Sequence, residues 1–351
     1  MQESDIREFI DNFSYDFFKI QLVFAALGFL ITIPHLTILL QNAMRTSSTN
    51  SLLIGIAFSD IFVLLQIIFD RTRNFFIAPR DNDCVLNTTY TLELLNYIGE
   101  ILRDTCERSS FIFGSFLALL RLLILKSPNG FENLCKPFTG YLIVVNLLII
   151  NFLTTLYNYL KYKIVFAGYW TPPEECTMYP ANYSEKIYYL IAKNEEELMN
   201  FYNNYMVVNG ISRILIAVIY PVLAILLVLE IWKSAKAALK MLSQKEALER
   251  LRTARMILLM TLTYVVVTGP IGILNFIQLF IDLEMYPILN SLEGSGHIFT
   301  SLIYCLNVIS HGFINYAMST NYRKATKQVF CLKEKEEVQD RMFAKTVGAV
   351  N

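Results

Sequence analysis

The sequence predicts an all-α membrane protein: a bundle of seven transmembrane helices followed by a short amphipathic eighth helix. Three observations predict it. Hydrophobic residues make up 54% of the 351 residues and charged residues only 17%, against roughly 25% charged in an average soluble domain. The apolar residues are gathered into long runs instead of recurring periodically. Seven of those runs reach, or extend to, the roughly 20 residues a helix needs to cross a hydrocarbon core about 30 Å thick. This composition excludes a disordered chain and argues against a cytosolic enzyme. With 30 basic and 30 acidic residues and no basic block, it also gives no reason to expect a nucleic-acid partner.

Five runs are long and strongly apolar: Phe17–Leu40, Leu52–Phe69, Phe138–Leu160, Ile214–Trp232 and Met256–Ile281. The third expected span, Phe111–Leu125, is short and reaches spanning length when extended back through Cys106 and Arg103. The seventh, Ile298–Met318, is long enough but carries Asn307 and His311. Polar residues in a span are costly, and their presence points to function. Residues 1–16 lack a basic stretch followed by a small-residue cleavage site, so no signal peptide is expected there. Residues 17–320 then form one membrane domain, 321–332 the amphipathic helix and 333–351 a tail.

Orientation follows from three kinds of residue. The sequons at Asn12, Asn87 and Asn182 all fall on the side of the N-terminus, as glycosylated segments of a plasma-membrane protein would. Basic residues crowd the opposite side, from Lys233 to Arg255 between spans five and six and at Arg323, Lys324 and Lys327 after span seven. That is the cytoplasmic bias of inner loops; Arg71, Arg73 and Arg80 dissent from it. Of six cysteines, only Cys84 and Cys176 lie in expected outer loops, where the medium is oxidising and a disulfide forms. Residues 1–16 become an extracellular N-terminus. In 322–332, Tyr322, Ala325, Val329 and Phe330 share one face, which suits a helix on the inner leaflet with Cys331 as a palmitoylation site. A neutral chain is thus expected to have an acidic outer side and a basic inner one.

Asp60 is a carboxylate within span two, and so must be protonated, paired or hydrated. Asn307 and His311 are four residues apart, share a helix face, and could meet Asp60 in the bundle. The network is either a fixed structural one or one that switches. In span three, Arg103, Glu107, Ser110, Gly114, Leu117 and Arg121 form one stripe, charged at its outer end. Asp104 and Arg108 lie beside it. Arg103–Glu107 and Asp104–Arg108 either neutralise each other along the helix or line a charged ligand pocket with Asn209, Arg213, Gln278 and His297. There a carboxylate would hold a basic ligand group and an arginine an anionic one. His35 sits apart, and no metal cluster, phosphate loop or nucleophile–base set supports an enzyme.

Several stretches carry a family resemblance. MRTSSTNSLLIGIAFSDI (Met44–Ile61), CERSSFIFGSFLALLRLLILKSP (Cys106–Pro128) and NVISHGFINYAMSTNYRK (Asn307–Lys324) resemble the nematode serpentine receptor class W. This is a group of rhodopsin-like G-protein-coupled receptors related to FMRFamide-like neuropeptide receptors. The resemblance implies that Asp60, with Ser110 and Asn307, helps to bind sodium and set the activation state. It implies that Arg121 engages a heterotrimeric G protein, and that Pro221 and Pro270 kink spans five and six. The chain also departs from the rhodopsin-like pattern. Leu120-Arg121-Leu122 stands for Asp-Arg-Tyr, His311-Gly312 for Asn-Pro and Asn315 for the switch tyrosine, and no tryptophan precedes Pro270 in Val267-Thr268-Gly269-Pro270.

The function expected is therefore signalling: a receptor for an extracellular neuropeptide, or alternatively a chemosensory receptor for small molecules. Acidic residues on the outer side, among them Glu174, Glu175, Glu185, Glu195–Glu197, Asp282, Glu284 and Glu293, would concentrate a cationic ligand. The basic inner segments would meet membrane lipids and the G protein. A transporter or channel, the competing class, would show internal repeats or paired broken helices.

Overall fold

The computed structural model describes residues 3–77, 84–86, 88–126, 132–180, 182–241, 265–266, 269–270, 272–273 and 287–330. The fold is built of long helices: α1 (Glu3–Leu39), α2 (Ser48–Thr72, continued by a π-helical turn Arg73–Ile77), α3 (Tyr90–Lys126), a short α4 (Glu132–Cys135), α5 (Pro137–Tyr159), α6 (Glu195–Met241), α7 (Pro287–Met318) and α8 (Thr320–Val329). Five of them contain segments long and apolar enough to cross a membrane: Tyr15–Leu39, Ser48–Phe75, Pro137–Tyr159, Gly210–Lys233 and Ile298–Ala317. α3 is 37 residues long, ample for a span, but its charges keep it below that apolarity. α1 starts at Glu3, so the expected N-terminal segment is helical backbone continuous with span one. The expected sixth span, Met256–Ile281, lies largely outside the described residues. Its positions 265–266, 269–270 and 272–273 are helical.

Local chemistry sets the helix ends. Ser47 caps α2, its hydroxyl accepting from the Asn50 amide, and Ser319 caps α8 by accepting from the Tyr322 amide at 3.2 Å. Pro137 opens α5, where its missing N–H costs nothing. Glycines set how closely the helices approach. A side chain on Gly140 would collide with the Ser48 carbonyl oxygen at 2.6 Å, so only glycine lets α5 lie against α2 there. At Gly272 the fit is tight but less strict, since an added Cβ would stand 3.1 Å from Arg213 and Ile214 of α6.

Three buried clusters lie in the described part of the bundle, the smallest between Leu122 of α3 and α6. Ala25, Val63, Leu64, Phe111, Tyr304 and Val308 join α1, α2, α3 and α7. Leu39, Leu52, Ile56, Phe113, Tyr322 and Ala325 lie nearer the α8 end, where α8 lays Tyr322 and Ala325 onto the core. The outward faces remain apolar, with Leu30, Phe138, Leu153, Val218 and Phe313 all exposed. A helix that is apolar on its outside suits a lipid surround.

Three features depart from the sequence expectation. First, the segment between α5 and α6 is not loop alone but a two-stranded antiparallel hairpin, β1 (Tyr162–Trp170) and β2 (Glu185–Ala192), bulged between Phe166 and Gly168. The alternating β-branched and aromatic residues of both strands favour that pairing. Its Tyr188 amide donates to the Thr88 carbonyl at 2.8 Å, and the expected Cys84–Cys176 disulfide ties the loop between the strands to the segment before α3. Second, His35 is not apart: its Nδ1 lies 2.7 Å from the Tyr322 hydroxyl. Third, Arg71 and Arg73 are bound charges. Arg71 pairs with Asp70 at 3.3 Å and Arg73 with Glu93 at 2.7 Å, which explains basic residues on the acidic side of the chain.

Candidate functional site

Asp60 is 1% exposed and lies where α2, α3 and α7 meet. The Ser110 hydroxyl donates to its Oδ1 at 2.8 Å and the Tyr304 hydroxyl to the same oxygen at 2.7 Å. His311 Nδ1 stands 3.3 Å from Oδ2, longer than the roughly 2.7–2.9 Å of a good charge-assisted hydrogen bond. A buried carboxylate costs free energy unless donors surround it, and each of these donors comes from a helix other than its own. The Phe111 ring stands edge-on to Tyr304 and fixes its position. Asn307 is buried on α7, and the Ser310 hydroxyl donates to its carbonyl at 2.6 Å. Asn315 is turned back on its own helix, its amide donating to the His311 carbonyl at 2.8 Å.

The structure therefore brings together Asp60, Ser110 and His311 and adds Tyr304. Tyr304 sits three residues before Asn307 and seven before His311, on the same face of α7. That spacing was the signal that could have found it. Toward α8, a cavity with room for about one water is lined by His35, Leu53, Ile56, Gly114, Leu117, Tyr220 and His311. Gly312 of α7 faces α1, and a Cβ added there would stand in ordinary contact with Ile31 at 3.5 Å and His35 at 3.8 Å.

The charged residues of α3 divide among three neighbours. Glu107 Oε1 pairs with Arg213 Nη1 of α6 at 3.0 Å, the two side chains being 11% and 20% exposed. Arg103 pairs with Glu100 at 3.6 Å, and Gln66 of α2 donates to the same carboxylate at 3.3 Å. Gly99 makes room for that amide, since a side chain there would fall on Gln66. Asp104 and Arg108 face α5, where Asp104 accepts from the Tyr159 hydroxyl at 3.1 Å and Arg108 donates to Thr155 Oγ1 at 3.4 Å. A strap crosses from α1 beside them: Arg71 Nε donates to Gln21 at 2.8 Å, Gln21 donates to Ser301 of α7 at 2.6 Å, and the Phe18 ring lies 3.8 Å under Arg71.

At the other end of α3, Arg121 is half-buried beside Leu122. Leu122 packs on Ala224, Leu227, Val228 and Ile231 of α6. Asn182 is exposed in the turn between the hairpin strands, at a φ of 67°, a conformation asparagine tolerates. Gln278, Asn87 and Cys331 lie outside the described residues, as do the side chains of Asn12, Asn209 and His297, residues 242–264, Asp282 and Glu284. Among the described residues no group of three metal-ligating side chains occurs.

Among the described residues no hydrolytic or redox arrangement is built. What is built is a polar core joining three helices, with an ion pair toward the disulfide end and a half-buried arginine toward α8. A search among curated proteins returns no match. The family model described as serpentine type 7TM GPCR chemoreceptor Srw matches residues 19–333. The chain belongs to the Srw family of seven-transmembrane G-protein-coupled chemoreceptors, a receptor class and not an enzyme class.

Proposed function

We propose that the chain is a plasma-membrane receptor with its N-terminus outside, which reads a charged extracellular ligand between α3 and α6 and passes the signal to a heterotrimeric G protein near Arg121. The observation that carries this is the Glu107–Arg213 pair at 3.0 Å. Glu107 stands one helical turn from Ser110 on α3, and Ser110 donates to Asp60. A ligand that separates the pair, its basic group on Glu107 and its anionic group on Arg213, shifts α3 against α6 and loads the Asp60 network. The ligand supplies the differential contacts that a population shift requires.

An amidated FMRFamide-like neuropeptide suits a site whose carboxylate can exchange its Arg213 partner for a ligand's basic group. The family's description as chemoreceptors favours a second reading, a small polar molecule that enters the same gap. In the outward orientation Asn182 carries an N-linked sugar, and a glycosidase-sensitive mass shift lost in Asn182→Gln checks the placement. The ligand is tested by applying a panel of amidated peptides and a panel of polar metabolites to cells expressing the chain, with G-protein dissociation as readout. A response to an Arg-Phe-amide peptide that weakens at least tenfold in Glu107→Gln supports the peptide reading. Activity confined to metabolites overturns it.

A further inference from the structure

Lys161, Lys163, Lys186 and Lys193 stand on the acidic side of the chain, in or beside the hairpin. Three of them gather at its base. α5 is 23 residues long, about 34 Å of helix, enough to cross a hydrocarbon core of about 30 Å and leave its last turn at the headgroups. Leu153, Tyr157 and Leu160 share one exposed face of α5, while Asn151 and Thr155 are buried against the bundle. Lys161 follows directly, and its Nζ lies 5.7 Å from the centroid of the Tyr157 ring, which is 62% exposed. The Lys193 amide donates to the Lys161 carbonyl at 2.8 Å, so these two lysines sit across the base of the hairpin from each other. Lys163 lies two residues further along β1, roughly 7 Å away.

The two faces of the hairpin differ. Tyr188 meets Tyr90 of α3 with ring centroids 5.4 Å apart, and Tyr162 meets Tyr159 of α5 at 6.3 Å, so the face they share is turned to the bundle. The opposite face sets Lys163 across from Ile191 and Val165 across from Tyr189, and Lys163, Ile191 and Tyr189 are exposed. Such a composition suits a membrane boundary. Aromatic rings sit among headgroups, and lysine stems lie along apolar surface with the ammonium in the polar layer. We propose that this face, with Tyr157, Lys161, Lys163 and Lys193 at its centre, binds the phosphate of a phospholipid headgroup in the leaflet on the disulfide side. The occupant follows from charge and continuity. Three lysines whose backbones lie within roughly 8 Å of one another meet one anionic phosphate, and the acyl chains of the same lipid run along the exposed stripe of α5. The proposal rests on α5 crossing the membrane and not on the ligand reading at Glu107 and Arg213. Glu195, Glu196 and Glu197 open α6 just beyond Lys193, and neutralising them is the competing role for the same lysines.

The full chain, purified in detergent, is melted with increasing phosphatidylcholine and, in parallel, with a galactosyl diacylglycerol of the same acyl chains, which lacks phosphate. A lipid bound by the folded state raises Tm by mass action. Wild type is expected to melt a few degrees higher in the phospholipid than in the galactolipid at saturation. Lys161→Gln, Lys163→Gln and Lys193→Gln together are expected to erase that gap, whereas Lys324→Gln with Lys327→Gln on α8 keeps it. Should the triple variant not fold, Lys163→Gln with Lys193→Gln is read in its place and is expected to lose most of the gap. Equal melting of wild type in the two lipids overturns the proposal. So does a lysine variant that melts lower in both lipids with the gap intact, which assigns the lysines to the glutamates of α6. Inorganic phosphate in detergent alone is expected to leave Tm unchanged, and a rise matching the phospholipid's overturns the lipid as the source. No variant touches Glu107 or Arg213, so failure here leaves the proposed ligand site standing.

Discussion

His35 of α1 and Tyr322 of α8 meet through a hydrogen bond of 2.7 Å between the ring nitrogen Nδ1 and the phenol oxygen, both side chains buried. Their rings lie 5.4 Å apart and tilted. The bond fastens the amphipathic helix to the first span, whose His35 also faces Gly312 of α7. Removing the hydroxyl leaves a buried nitrogen without its partner, which costs about 1–3 kcal/mol.

Tyr322→Phe is therefore expected to lower Tm, and His35→Leu in the same chain to restore part of the loss by removing the orphaned group. The pH dependence has a definite sign. Burial raises the Tyr322 phenol above its ordinary range, so its contribution is complete below the usual tyrosine value of about 10 and is lost as pH climbs through the folded value. The Tm gap between wild type and Tyr322→Phe should stay constant from pH 7 to roughly pH 9.5 and narrow above it. A gap that narrows between pH 6 and 8 would mean that another group governs the bond.

Two glycines at helix crossings should answer differently to the same substitution. On Gly140 an added Cβ meets the Ser48 carbonyl at 2.6 Å and the Ser48 Cα at 2.8 Å, both backbone atoms that cannot rotate away. On Gly312 it meets Ile31 at 3.5 Å and His35 at 3.8 Å, ordinary van der Waals contact. Overpacking costs about 1–3 kcal/mol, so Gly140→Ala lowers Tm and surface expression. Gly312→Ala stays within about 1 kcal/mol of wild type, helped by alanine's better helix propensity. Thermal melting of the two variants side by side checks the contrast.

Much of the architecture was readable because membrane physics writes it plainly. Long apolar runs mark spans whatever their neighbours, Cys84 and Cys176 were the cysteines in expected outer loops, and the spacing of Tyr322 and Ala325 showed which face of α8 is buried. Pairing between helices was harder. The stripe on α3 shows which residues share a face, but not that Glu107 reaches Arg213 while Arg103 turns to Glu100. That depends on the rotation and depth of α6 and α2, which no single helix's periodicity contains. His35 looked isolated for the same reason: its partner lies 287 residues away. The hairpin escaped notice because its two strands are separated by the long segment that carries Cys176 and Asn182.

The Glu107–Arg213 pair makes a separable contribution to stability. Neutralising one partner leaves the other charge in a mostly buried setting, and a loss of about 2 kcal/mol is expected from Glu107→Gln or Arg213→Gln alone. The double neutral variant should lose less than the sum of the two, since no uncompensated charge remains. A double-mutant cycle by thermal melting measures the coupling. Additive losses would show that the two side chains do not act together.

The central claim is that ligand signals cross the bundle through Asp60, and Tyr304→Phe tests it most directly. The substitution removes one hydroxyl that donates to Asp60 Oδ1 at 2.7 Å and leaves the aromatic packing against Phe111 intact. G-protein activation should be measured in cells expressing wild type, Tyr304→Phe and Asp60→Asn at matched surface level, basally and with any activating peptide or metabolite. The account predicts that both variants fold and reach the surface. It also predicts that each shifts basal activity or agonist potency at least about tenfold, the change that roughly 1.4 kcal/mol of altered coupling produces. Two well-folded variants that signal exactly as wild type does would contradict it.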